Sequence, residues 1–206
     1  MKNLTIYISS LIILLTTSLH AQNDSLEKVI EKGKNDLIEI LRTSKDQFNF
    51  GISPEALEQS KSASQIVYKE INIKRLLDYN GQGIDGIISK EQKLIIPFVN
   101  NSKVIATIGV VRSGKVTELI NHRYRNELSE LPNDIKDRGF ENINIVYVPN
   151  LNTIVYMDDN KSYTSYKGRN IREAISTEKL ITELKVDAQS FQKKYGDKIK
   201  EGKLLN

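Results

Sequence analysis

The chain has 206 residues, 39% hydrophobic and 27% charged, with two His and neither Cys nor Trp. That composition excludes disulfide scaffolds, zinc ribbons, iron–sulfur sites and thiol nucleophiles together, and leaves little room for His-dependent chemistry. The charge, 30 Lys+Arg against 26 Asp+Glu for a formal +4, is spread along the chain rather than gathered in the basic stripe that nucleic-acid binding requires, so no nucleic-acid partner is expected.

Lys2 precedes an uncharged, mostly apolar run from Leu4 to Leu19 that contains Leu11-Ile12-Ile13-Leu14-Leu15. Residues 1–21 therefore read as a secretory signal peptide. A membrane anchor is the rival reading, because the run approaches the ~20 residues that span a bilayer, but Ser9, Ser10, Thr16, Thr17 and Ser18 dilute it. Ala21 offers a small residue for cleavage before Gln22, although Leu19 is bulky for the third position upstream. Without Lys2 the mature chain has 29 basic against 26 acidic residues, a net of +3. A Cys-free exported chain suits the periplasm or the medium, accepts no lipid at its new N-terminus, and is expected to have no stable membrane insertion after cleavage.

From Asp24 or Ser25, with Glu27 placed for a capping box, Leu26, Val29, Ile30, Leu37, Ile40 and Leu41 recur on one helical face to about Arg42, with Gly33 weakening the middle. Ser53-Pro54-Glu55-Ala56-Leu57 has a capping Ser and a Pro in the first helical position, which starts a short helix ending near Ser60. Gln65 to Ile71 reads as a strand, Ile73 to Tyr79 as one or two helical turns, and Asn80 to Gly86 as a glycine-rich loop. Lys93 to Val99, Val104 to Arg112 and Val116 to Ile120 are rich in β-branched residues and separated by turn residues, so they form a three-stranded meander. A polar, helix-compatible stretch follows from His122 to about Asp137, interrupted by Pro132. Ile143 to Val148, Thr153 to Met157 and Ser162 to Tyr166 supply three more strands. Thr177 to Lys194 is the last helix, with Leu180, Ile181, Leu184, Ala188 and Phe191 on one stripe, and a frayed tail is expected from Asp197.

Runs of strands with helices between and beyond them indicate an α+β fold: antiparallel sheet or sheets with an N-terminal helix, a middle helical segment and a C-terminal helix. Residues 22–206 make a single exported domain, or a helical N-terminal portion followed by two small sheet units split near residues 121–140. Ser53-Pro54-Glu55-Ala56-Leu57 before Val67-Tyr68, then Ile96-Pro97-Phe98-Val99 and Val104 to Val111 ending at Ser113-Gly114-Lys115, resembles the secreted bacterial α+β domains of the PepSY and cystatin-like type. The resemblance covers roughly residues 50–120 and rests on strand-and-turn patterns; Ser62-Ala63-Ser64 stands where the commoner pattern has a Gly. It implies a short helix paired with an antiparallel sheet and a role as protease propeptide, inhibitor or binding module, and it carries over no functional residue.

Each chemistry-like motif has a plainer structural reading. Gly109 to Val116 matches a phosphate-binding loop except that Val116 replaces the Mg²⁺-binding Ser or Thr, and Val116-Thr117-Glu118-Leu119-Ile120 alternates like a strand where that loop needs a helix; Arg112 to Lys115 is therefore a β-turn. Asp78-Tyr79-Asn80-Gly81-Gln82-Gly83 resembles half a calcium loop, with Ser89 where a bidentate Glu should stand, and Asp158-Asp159-Asn160 is a second oxygen-rich turn. Neither is assigned a metal, although weak cation binding by the Asp78–Asn80 or Asp158–Asn160 loop is left open. Ser25-Leu26-Glu27-Lys28 and Ser176-Thr177-Glu178-Lys179 have a serine–lysine spacing used in catalysis, but both sit where helix caps belong. Asp24-Ser25-Leu26 also matches a short acceptor pattern for O-glycosylation of exported proteins. Arg123-Tyr124-Arg125 and Lys167-Gly168-Arg169 with Arg172 read as solvated faces.

The expectation is a non-enzymatic binding or interaction module for a protein or peptide partner, using an exposed sheet edge or a face, with no catalytic residue, metal ligand or cofactor assigned. The alternative is a small-ligand module or hydrolase with a cavity between the sheet and the last helix, lined by Phe140, Tyr147, Tyr156, Tyr163 and Tyr166. Candidate partner residues are His122, Arg123, Tyr124, Tyr147, Tyr156, Tyr163 and Tyr166; His122 is the mature chain's one His. N-terminal sequencing of the exported protein should begin at Gln22. An intact Met1 on membrane-bound material would show a retained anchor.

Overall fold

The computed structural model describes residues 26–81 and 83–200. The expected signal segment 1–21, Asp24 and Ser25 with the cap and glycosylation pattern they would carry, and Gln82 of the calcium-like loop lie outside the described residues. Among those described, no helix is long and apolar enough to cross a membrane.

Helix α1 occupies residues 26–43 and buries Leu26, Ile30, Leu37, Ile38 and Leu41. Gly33 lets α1 lie close against the sheet: a Cβ there would lie 2.9 Å from Ile108 Cδ1 and 3.1 Å from Val116 Cγ2. Helix α2, Pro54–Glu58, starts as its sequence demands, with Ser53 Oγ accepting from Ala56 N and Pro54 in the first turn, and it drives Leu57 fully into the core. Strands β1 (Lys61–Ser62) and β2 (Ile66–Glu70) lie along one side of β3 (Lys93–Asn100), while β4 (Lys103–Val111) and then β5 (Lys115–Glu118) continue the sheet on the other. Helix α3 (Ile73–Leu77) follows β2, and α4 (His122–Glu130) and α5 (Asn133–Asp137) follow β5. Strands β6 (Ile143–Val148), β7 (Thr153–Asp158), β8 (Lys161–Tyr163) and β9 (Ile175–Ser176) lead to α6, Thr177–Lys200.

These strands form one nine-stranded sheet in the order β5-β4-β3-β2-β6-β7-β8-β9, with β1 beside β3. Every pairing is antiparallel except β2 with β6, which run parallel from Val67 opposite Asn144 to Glu70 opposite Tyr147. The fold is thus the α+β class read from the sequence, with six α-helices among the described residues and both expected terminal helices in place. The last helix runs to Lys200 where a tail was expected from Asp197.

Side-chain alternation along the strands divides the interior into three cores. Leu94, Ile96, Phe98, Ala106, Ile108 and Val110 pack beneath α1 and α2. Val146, Val148, Val155 and Met157, on the same face farther along, pack beneath α3 and α6. The opposite face carries Ile66, Tyr68, Ile95, Ile145, Ile154 and Tyr156 beneath α4 and α5, which contribute Tyr124, Leu128 and Ile135. Strict alternation places Val104 with Ala106, Ile108 and Val110, but Val104 joins the core under α4. The register shift at Phe98/Val99 is the reason: Val99 pairs with Val104 and Phe98 with Ala106, so Ile105 is the extra residue of a bulge.

The phosphate-loop look-alike is a hairpin turn, with Gly114 at φ 87° and its N–H donated to Val111 O at 2.9 Å before β5 begins. Ser89 Oγ accepts from Glu70 N at 2.9 Å and donates to Lys90 O, which commits it to the start of the sheet. Asp158 is held by Arg138 Nη2 at 2.8 Å, and Ser176 Oγ caps α6 through Lys179 N.

Ile108 is fully buried and Lys115 is exposed at the start of β5, just after the turn. Urea unfolding should therefore show Ile108→Ala losing about 2–5 kcal/mol through lost burial and a residual cavity, and Lys115→Ala changing by less than about 0.5 kcal/mol. Equal midpoints with unchanged slopes would contradict this packing. Calorimetry should also give no specific ATP–Mg²⁺ heat dependent on Lys115.

Candidate functional site

Four of the sequence-nominated residues, Arg123, Tyr124, Tyr147 and Tyr156, meet at the start of α4. Asn121 Oδ1 caps the helix by accepting from Tyr124 N at 2.9 Å. The four-residue spacing then sends Tyr124 and Leu128 down onto the sheet and lays Arg123 and Glu127 along one flank, with His122 left exposed. Lys93 of β3 reaches Glu118 Oε2 at 2.8 Å with its Nζ 4.8 Å from the Tyr68 ring centroid and 5.8 Å from that of Tyr124. The two rings meet edge to face at 6.4 Å. Gly109 makes room for this pair, since a Cβ there would stand 3.1 Å from Glu118 Cβ and 3.4 Å from its Oε2.

Glu127, with a side chain only 14% exposed, accepts from Tyr156 Oη at 3.0 Å, Ser165 Oγ at 2.8 Å and Arg123 Nε at 3.2 Å. Arg123 also donates to Asn152 O, and Tyr147 Oη donates to Asn152 Oδ1 at 3.3 Å. Tyr163 is buried in the same core, whereas Tyr166 lies against α6 and donates to Asp187 Oδ2 at 2.9 Å. The residues named for a cavity beneath the last helix thus divide between two faces of the sheet. Beneath α6 the space is filled by buried Leu180, Ile181, Leu184 and Ala188 against Val146, Val148, Val155 and Met157.

Burial pushes the Tyr68, Tyr124 and Tyr156 hydroxyls above their usual 10.0. Behind burial come Tyr124 and Glu70 at Tyr68, Glu118 at Tyr124, and Glu127 at Tyr156. At neutral pH these hydroxyls stay protonated, and those of Tyr68 and Tyr156 donate to Glu70 Oε1 at 3.1 Å and Glu127 Oε2 at 3.0 Å.

A different surface, beside α2, is concave and carries an exposed aromatic side chain. After α1 the chain turns at residues 44–47, and Phe48 N bonds back to Ser44 O at 2.8 Å. Asn49 Oδ1 accepts from Gly51 N, Gly51 adopts φ 61°, and Arg125 Nη1 holds Gly51 O at 2.9 Å, so the loop is tied to α4. The Phe48 and Phe50 rings pack tilted by 35° with centroids 6.0 Å apart, and Phe48 remains 60% exposed. Beside them lies a groove of about 480 Å³ lined by Leu41, Lys45, Phe50 and Ile52 among others. A second groove of about 500 Å³, between α2, β4 and α4, shares Ile52 and Ser53 with the first and continues to Lys103, Ile105 and Arg125. The bulge at β4 is what brings half-buried Ile105 to this trough. The groove along α1 is larger, about 580 Å³, but its cations share it with acids: Arg42 donates to Glu58 Oε1, and Lys34, bonded to Glu58 O and Ser60 O, stands beside Glu31 and Glu39 in the lining.

None of the trough residues is among the partner candidates read from the sequence; Arg125 reads there as part of a solvated basic face and Ser53-Pro54 as a helix start. The available signal was Phe48-Asn49-Phe50, two aromatics in a polar connection between a long helix and a Pro-initiated one. Comparison of the chain with protein-family models, with curated proteins and with solved structures gives no match.

The raised hydroxyls predict alkaline behaviour. A folded-state pKa above the unfolded value means stability is complete below pH about 10 and falls as pH rises past it. Tyrosinate absorbance should show Tyr68, Tyr124 and Tyr156 ionising only as the protein unfolds. Tyr156→Phe should remove part of that loss and cost about 1–2 kcal/mol at neutral pH, because Glu127 loses a donor; early, non-cooperative ionisation of all the tyrosines would refute the assignment.

Proposed function

We propose that this chain is an exported, non-enzymatic module that binds a protein or peptide partner through the trough across α2. The observation that carries the reading is Phe48, a large aromatic side chain 60% exposed beside a groove whose walls include Phe50 and Ile52. Exposed aromatic anchors at a concave surface are the usual energetic centres of interfaces. A face is favoured over a sheet edge because the outer strands are short, β5 with four residues and β9 with two, and offer few backbone groups for strand addition. Export rests on the apolar run after Lys2, and a propeptide-like or inhibitor-like role rests on the resemblance of residues 50–120. The polar cluster at the start of α4 supports the fold in this reading, since its carboxylates and hydroxyls bond to one another.

The test is capture from the native envelope and medium on immobilised mature protein, wild type beside Phe48→Ser, read by mass spectrometry. Phe48 is a surface residue, so the substitution should change stability by less than about 0.5 kcal/mol. A species retained by the wild type and absent from the variant is expected. Identical profiles would reject the trough as the binding surface.

A further inference from the structure

We infer that the occupant of the trough is an extended acidic peptide segment bearing an apolar side chain, an assignment that rests on the binding reading above and adds the chemistry of its ligand. Charge is the first argument. Lys45, Lys103 and Arg125 line the two grooves, and none of them pairs with a carboxylate among the described residues. Arg125 donates to Gly51 O and Asn126 Oδ1, neutral acceptors that position the guanidinium without neutralising it. Of the acids alongside, Glu130 is drawn to Arg172, whereas Glu55 accepts from Ser53 Oγ at 2.7 Å, which with the backbone, Lys45 and Arg42 holds its carboxyl below the usual range, so it offsets one of the three cations. The trough therefore presents an excess of positive charge, greatest at Lys103 and Arg125.

Shape is the second argument. The two grooves meet at Ile52 and Ser53, so the depression is elongated, with apolar side chains Phe48, Phe50, Ile52 and Ile105 between cations at Lys45 on one end and Lys103 and Arg125 on the other. An extended segment can lay an apolar side chain against the aromatic pair while flanking Asp or Glu reach the cations. A bilayer surface also attracts Lys and Phe, but a flat surface does not reach concave walls such as those formed by Phe50 and Ile52.

Fluorescence anisotropy with a labelled synthetic peptide, Glu-Asp-Glu-Leu-Glu-Phe-Asp-Glu, tests the assignment on the mature chain. Its Gln/Asn counterpart and vesicles of phosphatidylcholine with phosphatidylglycerol serve as the competing probes. The acidic peptide should bind, and both the neutral peptide and the Lys45→Glu/Lys103→Glu variant should weaken binding by ~10-fold, the scale of two exposed charge contacts. Lys179→Glu, an exposed reversal on α6, should leave it unchanged. An equal loss in Lys179→Glu would mean attraction by net charge alone and overturn the site. Equal affinity for the neutral peptide, or vesicle association lost in Phe48→Ser without peptide binding, would also overturn it. If native partners are still captured through Phe48 while the acidic peptide has no advantage, the binding function stands and this ligand assignment falls; if capture is indifferent to Phe48, both fall.

Discussion

Val67 to Glu70 of β2 lie parallel to Asn144 to Tyr147 of β6, and the rest of the architecture depends on that contact. Strands β1 to β5 and β6 to β9 are otherwise two antiparallel groups, each with helices on the same face. A parallel pair cannot be closed by a tight turn and needs a long crossover. Here the connection contains α3, β3, β4, β5, α4 and α5, and α4 and α5 are returned across the junction on the opposite face. Tyr68 and Ile145, neighbours across the parallel register, both lie beneath that cover.

The polar groups of the junction follow from its burial. Once α4 lies across both halves, Lys93, Glu118 and Glu127 are drawn from water and each must find partners close by. They find them in one another and in the tyrosine hydroxyls: Lys93 with Glu118 and two aromatic faces, Glu127 with Tyr156, Ser165 and Arg123. Such a set holds the helix in one register on the sheet, because removing any member leaves a half-buried charge short of a partner. It also accounts for Gly109, the position opposite Glu118 where a side chain would crowd the carboxylate.

The trough across α2 arises from irregularities in an otherwise regular frame. Gly51 at positive φ redirects the chain after Phe50, the α4 guanidinium of Arg125 fixes that loop, and the extra residue in β4 places Ile105 beside it. Three segments far apart in sequence, residues 45–56, 103–105 and 125–130, thus converge on one surface.

By itself the sequence determined the local elements. Ser53-Pro54 starts a helix by satisfying a backbone N–H and presetting φ, β-branched runs broken by turn residues from Lys93 to Glu118 make the meander, and the spacing of Leu180, Ile181, Leu184 and Ala188 gives α6 its buried stripe, all signals carried by neighbouring residues in the chain. The arrangement of Arg123, Tyr124, Tyr147 and Tyr156 was legible only as a list of residue types; their meeting required α4 to cross the joint between the two strand groups. Tyr166 went to the other face because its packing is set by α6 rather than by the period of one strand. Tertiary structure alone decided the parallel β2–β6 pairing, the bulge that separates Val104 from Ala106, and the trough, because each depends on which distant segment comes alongside and composition or periodicity carries no record of that choice.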